Sequence, residues 1–203
     1  MFALVIIALA VGGAPQQNLA AEWPSCPTVK GRAVYSVLAI SVDAEGKVSG
    51  TEALAGDPAF LEQAAQAARS VTLPQPLSGS RFGLFCTTDA TARLGYLFDT
   101  AQLKGERRPP DISPALAEQN LVSRVQPDYP PVAKSRYIQG EVALEAVVGA
   151  NGKIAALIPL SGPLELRHAA VEAARQWSYR PFAISGRPVA VDTTVSVRFV
   201  RNR

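Results

Sequence analysis

One stretch of this chain occurs twice. AEGKVSGTEALAGDPAFLEQAAQAAR begins at Ala44, and ANGKIAALIPLSGPLELRHAAVEAAR begins at Ala150, 106 residues later. The two align over 26 positions without a gap, with nine identities. Alanine richness inflates such a score, so the test is whether matched positions carry the same structural duty.

In the second copy, Val142, Leu144, Ala146 and Val148 alternate onto one face of a strand. Asn151-Gly152 tolerates positive φ and favours a tight hairpin. The return strand KIAALIPL carries Pro159 near its end, which implies an edge position. Pro163 suits a first helical turn, and Leu166, Ala170, Ala173, Ala174 and Trp177 form one helical stripe. In the closing run VAVDTTVSVRF, Val191, Thr193, Val195, Val197 and Phe199 face one way; Asp192, Thr194, Ser196 and Arg198 face the other. The first copy repeats these duties in order. Leu38, Ile40 and Val42 match Leu144, Ala146 and Val148; Glu45-Gly46 takes the turn; Asp57-Pro58 offers a cap; Phe60, Ala64, Ala67, Ala68 and Val71 repeat the stripe.

The repeat predicts an α+β chain of two tandem small modules, each a three-stranded antiparallel sheet with one helix in the order β-β-α-β. We place a hydrophobic leader at 1–21, the modules at 26–99 and 121–203, and a charged, proline-punctuated linker at 100–120 with room for one helical turn. After its helix the first copy drifts: SRFGLFCTTDATARLGYLFD holds one bent strand or two short ones.

Apolar content of 48% and charged content of 18% suit a folded chain. Residues 1–120 carry 9 Lys/Arg against 11 Asp/Glu, a balance of −2; residues 121–203 carry 11 against 6, a balance of +5. Aromatics do not interleave with these basic residues, so nucleic acid is not the expected partner. The 13 apolar residues from Phe2 to Ala14 are shorter than the ~20 a bilayer span needs, and their length suits a secretory signal despite the missing basic leader. A buried helix is the alternative. Cys26 and Cys86 are the only cysteines; in an oxidising compartment they would join, and otherwise they are two buried thiols. With a single histidine, they cannot build a structural zinc site.

In the second copy, Q-P-x-Y-P at Gln126–Pro130, I-x-G at Ile138–Gly140, N-G-K at the turn and A-x-x-A-x-x-x-W-x-Y-x-P at the helix end stand in a specific order and spacing. Over Leu121 to Val200 the chain resembles the C-terminal domain of TonB, the periplasmic energy transducer of Gram-negative bacteria. The first copy resembles the same domain without the tyrosine–proline motif, as a degenerate module. The resemblance implies a periplasmic protein, exported and tethered or not to the inner membrane. It also implies partners: TonB-dependent outer-membrane receptors, whose TonB box pairs with an exposed strand edge, and inner-membrane motor proteins if a longer N-terminus exists. The implied partner-binding residues are Gln126, Tyr129 and Pro130 beside the groove, with Val191, Thr193, Val195, Val197 and Phe199 along the edge. For Tyr129 and Pro130, a staple holding the segment on the sheet is an equal reading.

Two departures bear on force transmission. The leader lacks the length, histidine and serine of the family's membrane helix, and the linker is no long proline arm. A soluble adaptor or decoy is therefore the alternative function. An envelope-polymer hydrolase is a remote one, because no catalytic set can be assembled: His168 is the only histidine and lies opposite the alanine stripe, no G-x-S-x-G surrounds Ser161, and Glu141 and Glu145 sit on a strand's expected outer face. No enzyme activity, cofactor or metal is expected.

Overall fold

The computed structural model describes residues 23–30, 32–77, 79–86, 91–104 and 108–200. The apolar leader lies outside the described residues. Among those described, no helix is long and apolar enough to cross a membrane.

The alternating runs become strands and the striped runs become helices, as the periodicities require. In the first half, β1 (Val37–Val42) and β2 (Val48–Ala55) form a hairpin, followed by α1 (Pro58–Arg69), β3 (Arg81–Cys86) and β4 (Ala92–Leu97). The ambiguous stretch after α1 is thus two short strands. In the second half, α2 (Pro114–Asn120) and α3 (Pro131–Ser135) precede the hairpin of β5 (Gly140–Val148) and β6 (Ile154–Ser161), then α4 (Leu164–Ala174) and β7 (Val191–Phe199). Asp57 caps α1 as expected, accepting from Phe60 N at 2.9 Å.

The α+β class stands, but the strands do not divide into two small sheets. They form one antiparallel sheet of seven in the order β7-β5-β6-β4-β3-β1-β2. The join is β4 against β6, through Tyr96↔Leu157 and Leu97↔Ala156, with Phe98 N donating to Ala155 O at 2.8 Å. The physical reason is edge satisfaction: a three-stranded second half would leave β6 with a row of unpaired backbone groups, and β4 supplies partners for part of that row. Pro159 therefore does not mark a sheet edge. It faces Leu144 of β5, beyond the end of the β4 pairing.

The two hairpins repeat one register. Leu38↔Ala53, Ile40↔Thr51 and Val42↔Val48 become Leu144↔Pro159, Ala146↔Leu157 and Val148↔Ile154, a constant shift of 106 positions, with register irregularities at matching places. β3 lies beside β1 as β7 lies beside β5. The halves then differ at their flanks: β6 is paired by β4, while its counterpart β2 ends the sheet. The outer side of β3 carries β4, whereas β7 ends the sheet.

Both helical stripes cover one sheet face, where Leu38, Phe60, Ala64, Leu144, Leu166 and Trp177 belong to one buried cluster spanning the halves. The other face holds a second cluster, including Val37, Leu54, Phe85 and Leu103 from the first half and Val147, Ala155 and Ile158 from the second. A 3-10 turn at Thr100–Leu103 touches both β2 and β6, so the sheet coils around this face. Cys26 and Cys86 are joined by a disulfide.

Candidate functional site

Along β7 two alternations run together. Val191, Thr193, Val195, Val197 and Phe199 turn their side chains into the core and are buried. Asp192 spends its backbone on the side away from β5: its N–H donates to Pro110 O at 3.0 Å and its carbonyl accepts from Ile112 N at 2.9 Å. Backbone direction in an antiparallel strand has a period of two. Thr194, Ser196 and Arg198 therefore also aim their N–H and C=O groups outward, while the odd-numbered residues pair with β5. Among the described residues, none hydrogen-bonds the outward backbone of these three.

This arrangement redistributes the residues expected from sequence. Val191, Thr193, Val195, Val197 and Phe199 do not present backbone to an outside strand, because β5 and the core consume them. The outward positions are the other set. Side-chain alternation alone cannot say which set faces a neighbour, so sequence reasoning missed it.

A groove of about 530 Å³ follows the open edge, lined by Thr194–Arg198, by Pro114, Ala117 and Glu118 of α2, and by Arg124–Pro127. Its far wall is built by the segment leading into the second half. Leu121–Ser123 pairs antiparallel with Ser178–Tyr179. Trp177 Nε1 donates to Val125 O at 2.9 Å, and the Arg124 guanidinium lies 4.7 Å from the Trp177 ring centroid. Gln126 is exposed and lines the groove. Glu141 lies at the other end, where the Ser196 hydroxyl and Arg198 hold its carboxyl below the usual range.

Tyr129 and Pro130 occupy staple positions. Tyr129 Oη donates to Ile138 O at 2.6 Å, and its ring meets Phe199 edge-on at 5.7 Å between centroids. Pro130 caps α3. Tyr129→Phe is expected to cost about 1 kcal/mol in denaturant unfolding while leaving the groove composition intact, since it deletes one hydrogen bond and leaves the ring contact.

Two residues read as ordinary solvation turn out otherwise. Glu145 is buried, not on a wet outer face, and pairs with Arg108 Nη2. His168 is half-buried beside Gln126 and Pro130 in a shallow cleft, rather than fully exposed. Arg108, Pro110 and Ile112 of the linker were not foreseen at this edge. Their only sequence signal was Pro109-Pro110, a pair without N–H groups beside a run of charge.

Residues 125–200 match the family model of the Gram-negative bacterial TonB protein C-terminal region. Protein TonB of Vibrio cholerae is 39% identical over 82 residues, which cover 39% of this chain and 34% of that protein. Protein TonB of Xanthomonas campestris strain B100 is 36% identical over 78 residues, covering 37% and 35%. The chain thus spans about a third of the length of these curated relatives. The solution structure of the Pseudomonas aeruginosa TonB C-terminal domain aligns with 41% of this chain and 86% of its own, at 23% identity and a TM-score of 0.35. Over residues 125–200, the chain is thus similar to the TonB C-terminal domain.

Proposed function

We propose that the second half docks an extended peptide of TonB-dependent outer-membrane transporters as an added strand on β7, in energy-coupled transport across the envelope. The observation that carries this is the outward, unpaired backbone of Thr194, Ser196 and Arg198 beside a groove. Main-chain bonds supply affinity in such strand addition, and flanking side chains supply selectivity. The first half offers a precedent within the molecule: β4 already lies against the corresponding side of β3, with Gly83↔Gly95 and Phe85↔Arg93 in register. Gln126 and the exposed Arg198–Glu141 pair are among the polar groups at the groove walls that an incoming segment would meet. We place the protein in the periplasm and read it as a binding component. We also read the first half as a degenerate copy of the same module, whose docking side is filled in cis.

Ser196→Pro tests the edge. It deletes an outward donor without touching the β5 ladder, so affinity for transporter N-terminal peptides should fall by roughly tenfold or more while the unfolding midpoint stays near that of the parent. Unchanged affinity would remove edge capture from consideration. Val195→Pro is the wrong probe, because its N–H faces Leu144 of β5 and its loss would unzip the sheet margin itself.

A further inference from the structure

The open edge of β7 is closed at one end by the linker, and the closure is built around a buried charge. Arg108 Nη2 pairs with Asp192 Oδ2 at 2.5 Å and with Glu145 Oε1, and Nη1 donates to Cys86 O at 3.3 Å. Arg93, Asp111 and Tyr35 complete the charged and titratable groups facing this point. Tyr35 Oη is buried there without a hydrogen-bond partner among the described residues. The backbone contacts of the closure are few. Asp192 makes its two bonds to Pro110 and Ile112, Thr193 Oγ1 donates to Ile112 O at 3.1 Å, and the chain then turns away at Ser113, which caps α2. Pro109 and Pro110 have no N–H to add.

Resting on the docking reading above, we infer that Arg108 is a specificity-determining residue. By latching the linker onto Asp192 and Glu145, it ends the strand-accepting window at Thr194 and so sets the length and register of the peptide that β7 takes. With the latch shut, three outward residues are available; with it open, Asp192 becomes a fourth. The latch controls this because removing its guanidinium leaves two carboxylates buried side by side, a state relieved at acid pH by taking up a proton and at pH 8 by rehydration, which requires the linker to lift.

The latch also takes up a proton. Burial, followed by the charge of Glu145, pushes the Asp192 carboxyl up from 3.8 to about 7 despite Arg108, and burial raises Glu145 in the same direction. Lifting the linker returns water to Asp192 and lowers its affinity for the proton, so the closed state binds more protons than the open one. Closure is therefore tightest at acid pH and weakens as pH rises from about 4 to about 7.

The test uses the full chain and two readouts. Native-state hydrogen exchange at the Asp192 and Ile112 amides reports the latch without any ligand. Peptides of about five and about eight alternating threonine and valine residues, blocked at both ends, report the window. In Arg108→Ala at pH 8 both amides should lose protection by roughly tenfold or more, and the longer peptide should gain roughly fivefold in affinity while the shorter gains nothing. Ile112→Pro deletes the donor to Asp192 and leaves every charge in place, so if Arg108→Ala fails to fold it should lower protection at the one amide it retains, Asp192, and favour the longer peptide likewise. In the parent, protection factors at both amides should be higher at pH 5 than at pH 8. Unchanged protection in the variants overturns the latch. Lost protection with equal gains for both peptides overturns the window. Failure of the parent and variants to bind either peptide overturns the docking reading and the window with it, while exchange still decides the latch.

Discussion

Gly152→Ala is expected to lower stability by at least about 3 kcal/mol, and Gly46→Ala by a similar amount. Both glycines stand at the hairpin turn with positive φ, +74° and +82°. A Cβ at Gly152 would lie 2.2 Å from Tyr179 O, and one at Gly46 would lie 2.0 Å from Leu73 O. Neither carbonyl can withdraw easily. Tyr179 N donates to Gly152 O at 2.8 Å, and Leu73 N donates to Gly46 O at the same distance, so turn and chain clasp each other from both sides. The side chain would therefore break the clasp as well as strain the backbone. Gly79→Ala separates the two costs, because Gly79 shares the φ of +74° but has nothing within 4 Å of the added atom. It should lose only about 1 kcal/mol. Urea midpoints at constant slope measure all three. If Gly152→Ala costs no more than Gly79→Ala, the clasp contributes nothing. If Gly46→Ala and Gly152→Ala differ widely, the two turns do not carry matching duties.

Local elements were legible because their signals are local. Asn151-Gly152, the stripe from Leu166 to Ala174 and the alternation of Val191–Phe199 each depend on neighbours a few residues away, and each forms as expected; Trp177 stands past the helix end but joins the same buried cluster. The neighbours of each strand were not legible. Alternation assigns a side chain to a face, but it is silent on which strand lies alongside. Thus Pro159 suggested an edge although β4 pairs with β6 just before it. Glu145 looked solvated because its partner, Arg108, comes from 37 residues away, and Asp192 looked solvated because the same arginine is 84 residues distant. At the open edge of β7 the pattern gave the strand, but the residues whose backbone faces outward are the other set. The set that repeats as apolar is the set whose backbone is already used.

Replacing both cysteines, as in Cys26→Ser with Cys86→Ser, is expected to cost about 4 kcal/mol, the chain-entropy value for a cross-link of this span. The bridge closes a separation of 60 residues and ties the segment before β1 to the end of β3. The more informative question is how far this loss travels. The strand contact between the halves is short, two paired positions between β4 and β6. The apolar clusters on the two faces, however, both draw residues from each half, so neither half can open without exposing core of the other. The sheet should therefore unfold as one unit. The chain carries its own reporters, because Trp23 belongs to the first half and Trp177 to the second, and there is no third tryptophan. Trp23→Phe and Trp177→Phe each leave one probe. In both backgrounds, removal of the disulfide should lower the denaturation midpoint of the remaining tryptophan by the same amount. Should the Trp23 signal fall early while Trp177 holds, the halves are independent modules joined at a narrow seam. Coincident falls would mean that residues 121–203 depend on β4, 3-10 turn and disulfide alike, and that the edge of β7 is held in place from the far side of the sheet.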